Sequence, residues 1–138
     1  MESDSDQDWP NLARYKNQNF ALASPQENEK RVVFIGDSIT EEWSKLYPNY
    51  FEKRTYINRG IGGQTTPQML IRFKQDVIDL KPTVVVILAG TNDIAGNTGP
   101  SDVKMITDNI FSMATIATAH EVQAVSYKHL TLPTTTIV

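Results

Sequence analysis

The sequence has no cysteine among its 138 residues. This absence excludes disulfide bonds, thiolate metal sites and cysteine nucleophiles. There is also no apolar run close to the ~20 residues that a membrane-spanning helix needs. Positive charge is not in excess, since 13 Lys and Arg residues accompany 16 Asp and Glu residues and the net charge is −3. The chain therefore lacks the basic surface that is typical of proteins that bind nucleic acid or anionic membranes.

The composition is that of an ordinary globular protein, with 40% hydrophobic and 21% charged residues, and the length suits one domain with a buried core. We expect residues 1–30 to form an N-terminal tail and a short helix that begins after Trp9 and Pro10. We expect residues 31–125 to form the domain. The acidic N-terminus lacks the basic-then-apolar order of a secretory signal peptide, so the chain is interpreted as soluble, with its compartment left open.

Four segments are predicted as strands. The first two span residues 31–35 and 55–58, and the fourth begins at Val122. The third begins near Thr83 and is a continuous β-branched run, which is typical of a parallel-sheet strand covered on both faces.

Helices are predicted between these strands. One covers residues 40–46 and is stopped by Pro48. A second begins at Thr66, with Pro67 at its first positions, and ends at Lys81 before Pro82. A third covers residues 101–119. The spacing of apolar residues predicts that the second helix buries one set of side chains and the third another. These sets are Leu70, Phe73, Val77 and Leu80, and Val103, Ile106, Ile110, Met113 and Ala117.

The alternation of strands and helices predicts an α/β fold with a three-layer, doubly wound parallel sheet of the flavodoxin-like type. In such sheets the ligand site lies outside the carboxyl ends of the strands, where the strand order reverses. Three polar loops follow strands at that edge, at residues 36–39, 59–64 and 90–93. A serine there can attack an acyl carbon, and a glycine N–H with an asparagine amide can hold the resulting oxyanion.

The three loops resemble the first three sequence blocks of the GDSL, or SGNH, hydrolase family of esterases and lipases. The matching stretches are FIGDSITEEW, NRGIGGQTT and GTND, in the family's order. The resemblance implies that Ser38 is the nucleophile, that Gly63 donates its backbone N–H to the oxyanion, and that Asn92 donates from its side chain.

The resemblance also assigns Asp37, Gly62 and Asp93 to the substrate-binding loops. The two aspartates are expected to pin these loops rather than to react. Glu42 departs from the family pattern, because many relatives have glycine at that position.

The family's fourth block, Asp-x-x-His, which supplies the general base and its orienting carboxylate, does not occur in the sequence. His120 belongs at the opposite, amino edge of the sheet, about 17 Å away along a five-residue strand. His129 follows the fourth strand, but nothing in the sequence orients it. We therefore expect the domain to be incomplete at its C-terminus and this fragment to be nearly inactive.

Residues 126–138 break the family pattern and resemble the out-of-frame translation of a transposase adapter used in sequencing libraries. We expect them to be non-native. An N-terminal truncation is equally compatible with the sequence.

The expected partner is a small-molecule ester, either an acylated lipid or an acylated carbohydrate, with no cofactor, no metal and no nucleic acid. The sequence leaves the acyl-chain length and the oligomeric state open. The alternative from another class is a flavodoxin-like module that holds a phosphate or a flavin at the same edge, although Asp37 and Asp93 would repel a phosphate. A non-catalytic relative kept for ligand binding is a third interpretation.

Overall fold

A five-stranded sheet forms the centre of the computed structural model, which describes residues 7–52, 54–128 and 134–137. The strand order is β2-β1-β3-β4-β5. The first four strands are parallel and β5 pairs antiparallel with β4. The strands are β1 Val32–Gly36, β2 Tyr56–Gly60, β3 Val84–Ala89, β4 Gln123–Lys128 and β5 Thr134–Ile137.

Helices lie between the strands. They are α1 Lys16–Ala21, α2 Ser38–Leu46, α3 Pro48–Glu52, α4 Thr66–Asp76, α5 Thr91–Ile94 and α6 Val103–Ala119, and a 3-10 turn, Ile78–Leu80, follows α4. The predicted three-layer, doubly wound α/β fold is confirmed, and β1 lies between β2 and β3 as the flavodoxin-like order requires. The antiparallel strand β5, in the segment expected to be non-native, was not predicted.

The sheet buries its apolar strands as their composition predicts. Val33 and Ile35 of β1 and Val85 and Ile87 of β3 have no exposed surface. They belong to one core cluster with the apolar side chains of α4 and α6. On the other face, α2 and α3 pack an aromatic cluster against β1 and β2. Its members are Phe34, Trp43, Tyr50, Phe51 and Tyr56.

Helix starts and caps differ from the predictions. The helix α2 begins at Ser38, two residues before the predicted start at residue 40, because Asp37 is its N-cap. The helix α4 begins at Thr66 as predicted, but its N-cap is Thr65, which forms a capping box with Gln68.

The predicted start of α6 at residue 101 is early, because Asp102 caps α6 by accepting a hydrogen bond from the Met105 N–H at 2.8 Å. Val103 is therefore the first residue of α6 and is 58% exposed, so its predicted inward orientation is wrong. The other four apolar positions predicted for this helix are buried.

The α-helical part of α4 ends at Asp76, earlier than predicted, and the 3-10 turn carries the chain on to Leu80. Lys81 then adopts a left-handed conformation with φ of 56°. Phe73, Val77 and Leu80 are nonetheless buried as expected. The three side chains stay on one side because the 3-10 turn continues the helical path of α4 with the same hand.

Candidate active site

The three polar loops leave neighbouring strands at the same level of the sheet. In the strand register, Gly36 at the end of β1 pairs with Gly60 at the end of β2 and with Leu88 near the end of β3. The turn into α2, the loop after β2 and the helix α5 therefore start side by side at the carboxyl edge.

Ser38 is the first residue of α2 and its side chain is exposed. Asp37 precedes it as the N-cap, and the buried Asp37 carboxylate accepts a hydrogen bond from the Ile39 N–H at 3.2 Å. This cap fixes a sharp strand-to-helix turn that leaves the Ser38 hydroxyl on the surface. A serine in such a position can be reached by a ligand.

Two glycines allow α2 to cross the strand ends closely enough to hold Ser38 there. A Cβ atom on Gly36 would lie 2.2 Å from the Thr40 Oγ1 atom, and one on Gly60 would lie 2.3 Å from the Glu41 backbone nitrogen. Both distances are shorter than any real Cβ contact. A side chain at either position would therefore push α2 away from the sheet.

The glycine loop, residues 61–64, lies beside Ser38. A Cβ atom on Gly62 would be 3.6 Å from the Ser38 Cβ atom. Gly63 has a φ of +79°, a conformation that favours glycine. Its carbonyl oxygen accepts a hydrogen bond from the Asn97 Nδ2 atom at 2.9 Å. The turn is closed by a hydrogen bond of 3.3 Å from the Gln64 N–H to the Ile61 carbonyl.

Asn92, in α5, contacts the other side of the glycine loop. Its Nδ2 atom donates a hydrogen bond to the Gln64 carbonyl oxygen at 3.1 Å. A carboxamide has two N–H donors, so one donor fixes the side chain against the loop and the second is available to a ligand. Ser38 and Asn92 thus lie beside the same loop, on helices that follow different strands.

The second aspartate of the predicted loops, Asp93, is 2% exposed. Its carboxylate accepts hydrogen bonds from the Thr66 N–H at 3.0 Å and from the Thr66 hydroxyl at 2.5 Å. Asn109 of α6 also donates to that hydroxyl. Asp93 therefore ties α5 to the start of α4, which is the loop-pinning arrangement expected from the sequence.

A buried arginine beneath the loops was missed by sequence reasoning. The Arg72 side chain is fully buried and pairs with the equally buried Asp76 carboxylate at 3.1 Å. It also donates to the Gln64 Oε1 atom at 2.6 Å and to the Gly36 carbonyl oxygen at 3.3 Å. Burial lowers the pKa of Arg72, and the charge of Asp76 opposes that change. The one sequence signal was the four-residue spacing of Arg72 and Asp76 on a helix.

The N-terminal segment docks against the same loops. The Tyr15 hydroxyl donates to the Gly60 carbonyl oxygen at 2.5 Å, and the Gln64 side chain donates to the Pro10 carbonyl oxygen at 2.7 Å. A pocket of about 440 Å³ lies between this segment and the glycine loop. Its wall includes Asp8, Trp9, Asn11, Gly62, Gly63 and Gln68.

Within the described residues, the histidine lies at the end of α6 and not at these loops. His120 caps the C-terminal end of α6, where its Nδ1 atom lies 2.9 Å from the Ile116 carbonyl oxygen. His129 lies outside the described residues. In the described ranges, no group of three or more His, Asp or Glu side chains is arranged to hold a metal ion, and no helix is long and apolar enough to cross a membrane.

The profile of the GDSL-like Lipase/Acylhydrolase family matches residues 34–136. Among solved structures, a Bacteroides fragilis NCTC 9343 protein assigned as an acylhydrolase is similar over 91% of this chain and 58% of its own, with 50% identity and a TM-score of 0.85. A GDSL-like lipase from Bacteroides thetaiotaomicron VPI-5482 gives 86% and 58% coverage, 48% identity and a TM-score of 0.84.

Among curated proteins, the platelet-activating factor acetylhydrolase IB subunit alpha1 of Rattus norvegicus is 32% identical over 75 residues, which are 52% of this chain and 32% of the relative. The chain thus spans about a third of the length of this relative and 58% of the two solved structures.

Proposed function

This chain belongs to the GDSL-like lipase/acylhydrolase family, and we propose that it carries the nucleophile and the oxyanion-binding groups of an enzyme that hydrolyses carboxylic esters through an acyl-enzyme. The observation that carries the proposal is the convergence of two predicted site residues on one glycine turn. Ser38 approaches Gly62 from α2, and Asn92 is hydrogen-bonded to the Gln64 carbonyl from α5.

In the proposed reaction, the Ser38 Oγ atom attacks the ester carbonyl carbon and its proton passes to a base. The carbonyl oxygen becomes an oxyanion, which accepts hydrogen bonds from the Ser38 N–H, the Gly63 N–H and the second N–H of the Asn92 amide. The tetrahedral intermediate then expels the alcohol, which takes the proton, and leaves an acyl group on Ser38. Water hydrolyses that acyl-enzyme by the same route and regenerates the serine.

The base is proposed to be an imidazole from a part of the whole protein that this sequence does not contain. The Asp-x-x-His block is absent from the sequence, and His120 is held at the end of α6. Loss of the base of a catalytic triad lowers turnover by up to about 10⁶-fold. We therefore propose that the 138-residue chain is nearly inactive and that the whole protein is the enzyme.

The proposed substrate is a small-molecule ester, an acylated lipid or carbohydrate. The curated relative is by name an acetylhydrolase, which favours a short acyl group. The pocket beside the glycine loop has a mixed wall, with Trp9 and Ile61 as well as Asn11 and Gln68, and we propose that it receives the alcohol group.

The test is covalent labelling of the whole protein, encoded by a reading frame that continues residues 31–125 with the native sequence and carries Asp-x-x-His. A fluorophosphonate should label the wild type and not Ser38→Ala, and ester turnover should fall by about 10⁶-fold in that variant. Asn92→Ala should lower turnover by about 10²–10³-fold, because one oxyanion donor is lost. Ser112→Ala is the matched control, because this exposed serine only bonds to its own helix.

Labelling that persists in Ser38→Ala would overturn the assignment of the nucleophile. A preparation that carries bound flavin and hydrolyses no ester would support the flavodoxin-like alternative instead.

A further inference from the structure

A carboxylate of α2 engages the glycine loop next to Ser38. The Glu41 Oε2 atom accepts a hydrogen bond from the Gly62 N–H at 2.9 Å. Its second oxygen, Oε1, lies 3.8 Å from the position that a Cβ atom on Gly62 would occupy. Ser38 and Glu41 are three residues apart on α2 and so lie on the same side of the helix. The two side chains therefore flank Gly62 together.

The glycine loop is held at three peptide groups, one before and two after the peptide group that joins Gly62 to Gly63. Glu41 binds the Gly62 N–H, Asn97 binds the Gly63 carbonyl oxygen and Asn92 binds the Gln64 carbonyl oxygen. Adjacent glycines have the largest backbone freedom of any residues, so such a loop keeps one conformation only when its peptide groups are anchored. Within the described ranges, no hydrogen bond occupies the Gly63 N–H.

This pattern decides which amide is available to a ligand. The Gly62 N–H is taken by Glu41, and the next N–H along the chain is left open between two anchored peptide groups. Hydrogen bonds to a carboxylate are about twice as strong as those between neutral groups, so Glu41 is an effective anchor. Its negative charge would at the same time disfavour a nearby oxyanion. Glu41 therefore contributes by fixing the loop conformation and not by stabilising charge.

We propose that Glu41 is a positioning residue that holds the Gly62 N–H and thereby directs the Gly63 N–H toward the oxyanion formed at Ser38. This inference rests on the proposed esterase function. It gives a role to Glu41, a residue of the first sequence block to which the family resemblance assigns none. Because the Gly63 N–H acts on the oxyanion and not on the bound ester, losing the anchor lowers kcat and leaves KM nearly unchanged.

The test compares Glu41→Ala and Glu41→Gln with Glu42→Ala. Glutamine keeps an acceptor oxygen of the same reach, so Glu41→Gln should retain near wild-type behaviour. Glu42 is the matched control, since it neighbours Glu41 but pairs with the exposed Lys45. Two measurements are made on the whole protein that carries Asp-x-x-His. The first is hydrogen exchange of the Gly62 amide by ¹⁵N NMR, and the second is kcat and KM for a neutral acetyl ester.

We expect Glu41→Ala to accelerate Gly62 exchange and to lower kcat by about tenfold to a hundredfold. Neither Glu41→Gln nor Glu42→Ala should show these two effects. Unchanged Gly62 exchange in Glu41→Ala, or a kcat within about twofold of an active wild type, would overturn the positioning role alone. A wild type that hydrolyses no ester and takes no fluorophosphonate label would overturn the proposed function and this inference with it.

Discussion

The two faces of the sheet are covered very differently. On the closed face, defined as the side packed by α4 and α6, Met69, Phe73 and Met113 have no exposed surface. On the open face, Val86 and Leu88 border an apolar pocket of about 520 Å³. Around that pocket lie side chains that remain largely in solvent, namely Ile39 at 57%, Leu46 at 70% and Tyr47 at 61% exposed.

This difference separates the side chains that stabilise the fold from those that we propose to react. The closed face carries the apolar core, and it also holds Arg72, which reaches the ends of β1 and of the glycine loop. The open face carries α2, and therefore Ser38 and Glu41, on a helix whose only fully buried side chain is Thr40. Substitutions of the fully buried side chains on the closed face should therefore destabilise the protein strongly, whereas those of the exposed side chains around the open-face pocket should have little effect on stability.

The largest effect is expected from Arg72→Ala. Removal of the arginine leaves the Asp76 carboxylate buried without its partner, which costs about 3–5 kcal/mol of unfolding free energy. Arg72→Met combined with Asp76→Leu should recover part of that loss, because apolar pairs of similar volume replace buried ion pairs at little cost, while the Gln64 Oε1 atom still loses its donor. Chemical denaturation measures both, and Lys104→Ala is the control in an exposed pair. A double variant as unstable as Arg72→Ala would contradict the ion-pair explanation.

The next effect compares one side chain from each face. Met69→Ala on the closed face should cost about 2–5 kcal/mol, because it leaves a cavity in a fully buried position. Leu46→Ala on the open face should change the unfolding free energy by no more than about 0.5 kcal/mol. Urea denaturation of the two variants side by side makes the comparison. Equal losses would show that the open face is as well packed as the closed one.

The smallest effect concerns Tyr15, which joins the N-terminal segment to the end of β2. Burial raises the pKa of Tyr15 above its ordinary value of 10.0, although the nearby Arg14 charge partly opposes this. Above pH 10 the unfolded chain therefore releases this proton first, and stability falls as the pH rises toward the folded pKa. Below pH 10 the group is protonated in both states and contributes no pH dependence.

Tyr15→Phe tests this linkage. At neutral pH the variant should lose about 0.5–1.5 kcal/mol, the contribution of the hydrogen bond to the Gly60 carbonyl. Between pH 9 and about pH 11 its stability should fall less steeply than that of the wild type. Urea denaturation across that range gives both values. Identical slopes would mean that the Tyr15 hydroxyl titrates alike in the folded and unfolded chains.

The closed face was largely predictable because its apolar residues recur along the sequence at regular spacings. Alternating strands and helices defined the fold, and the spacing of Phe73, Val77 and Leu80 identified the buried side of α4. The cap of α4 was placed one residue off, and the starts of α2 and α6 two residues off, because neighbouring Ser, Thr and Asp residues are all acceptable caps. Which of two neighbouring residues caps the helix depends on the backbone geometry, and packing sets that geometry.

The site was predictable only where it follows strand ends. Ser38, Gly62, Gly63 and Asn92 stand within three residues of the ends of predicted or observed strands, so topology alone brings them to one edge. Arg72 was not found, since a charged residue inside an amphipathic pattern is ordinarily assigned to the solvent face.

The N-terminal segment escaped detection for another reason. Gln64 and Gln68 bind backbone carbonyls of Pro10 and Trp9, and a hydrogen bond to a carbonyl depends on no particular residue type. The position at which this segment docks therefore cannot be predicted from sequence patterns.

That docking bears on how related enzymes diverge. The family profile begins at residue 34, yet Asp8, Trp9 and Asn11 form one wall of the pocket beside the glycine loop. Two homologues with identical motifs can thus differ in the cavity beside the glycine loop, where we propose that the leaving alcohol binds, solely through their leading residues. On that proposal, substrate selectivity can change in this stretch while the three sequence blocks stay the same, and a classification based on motifs would group such proteins together.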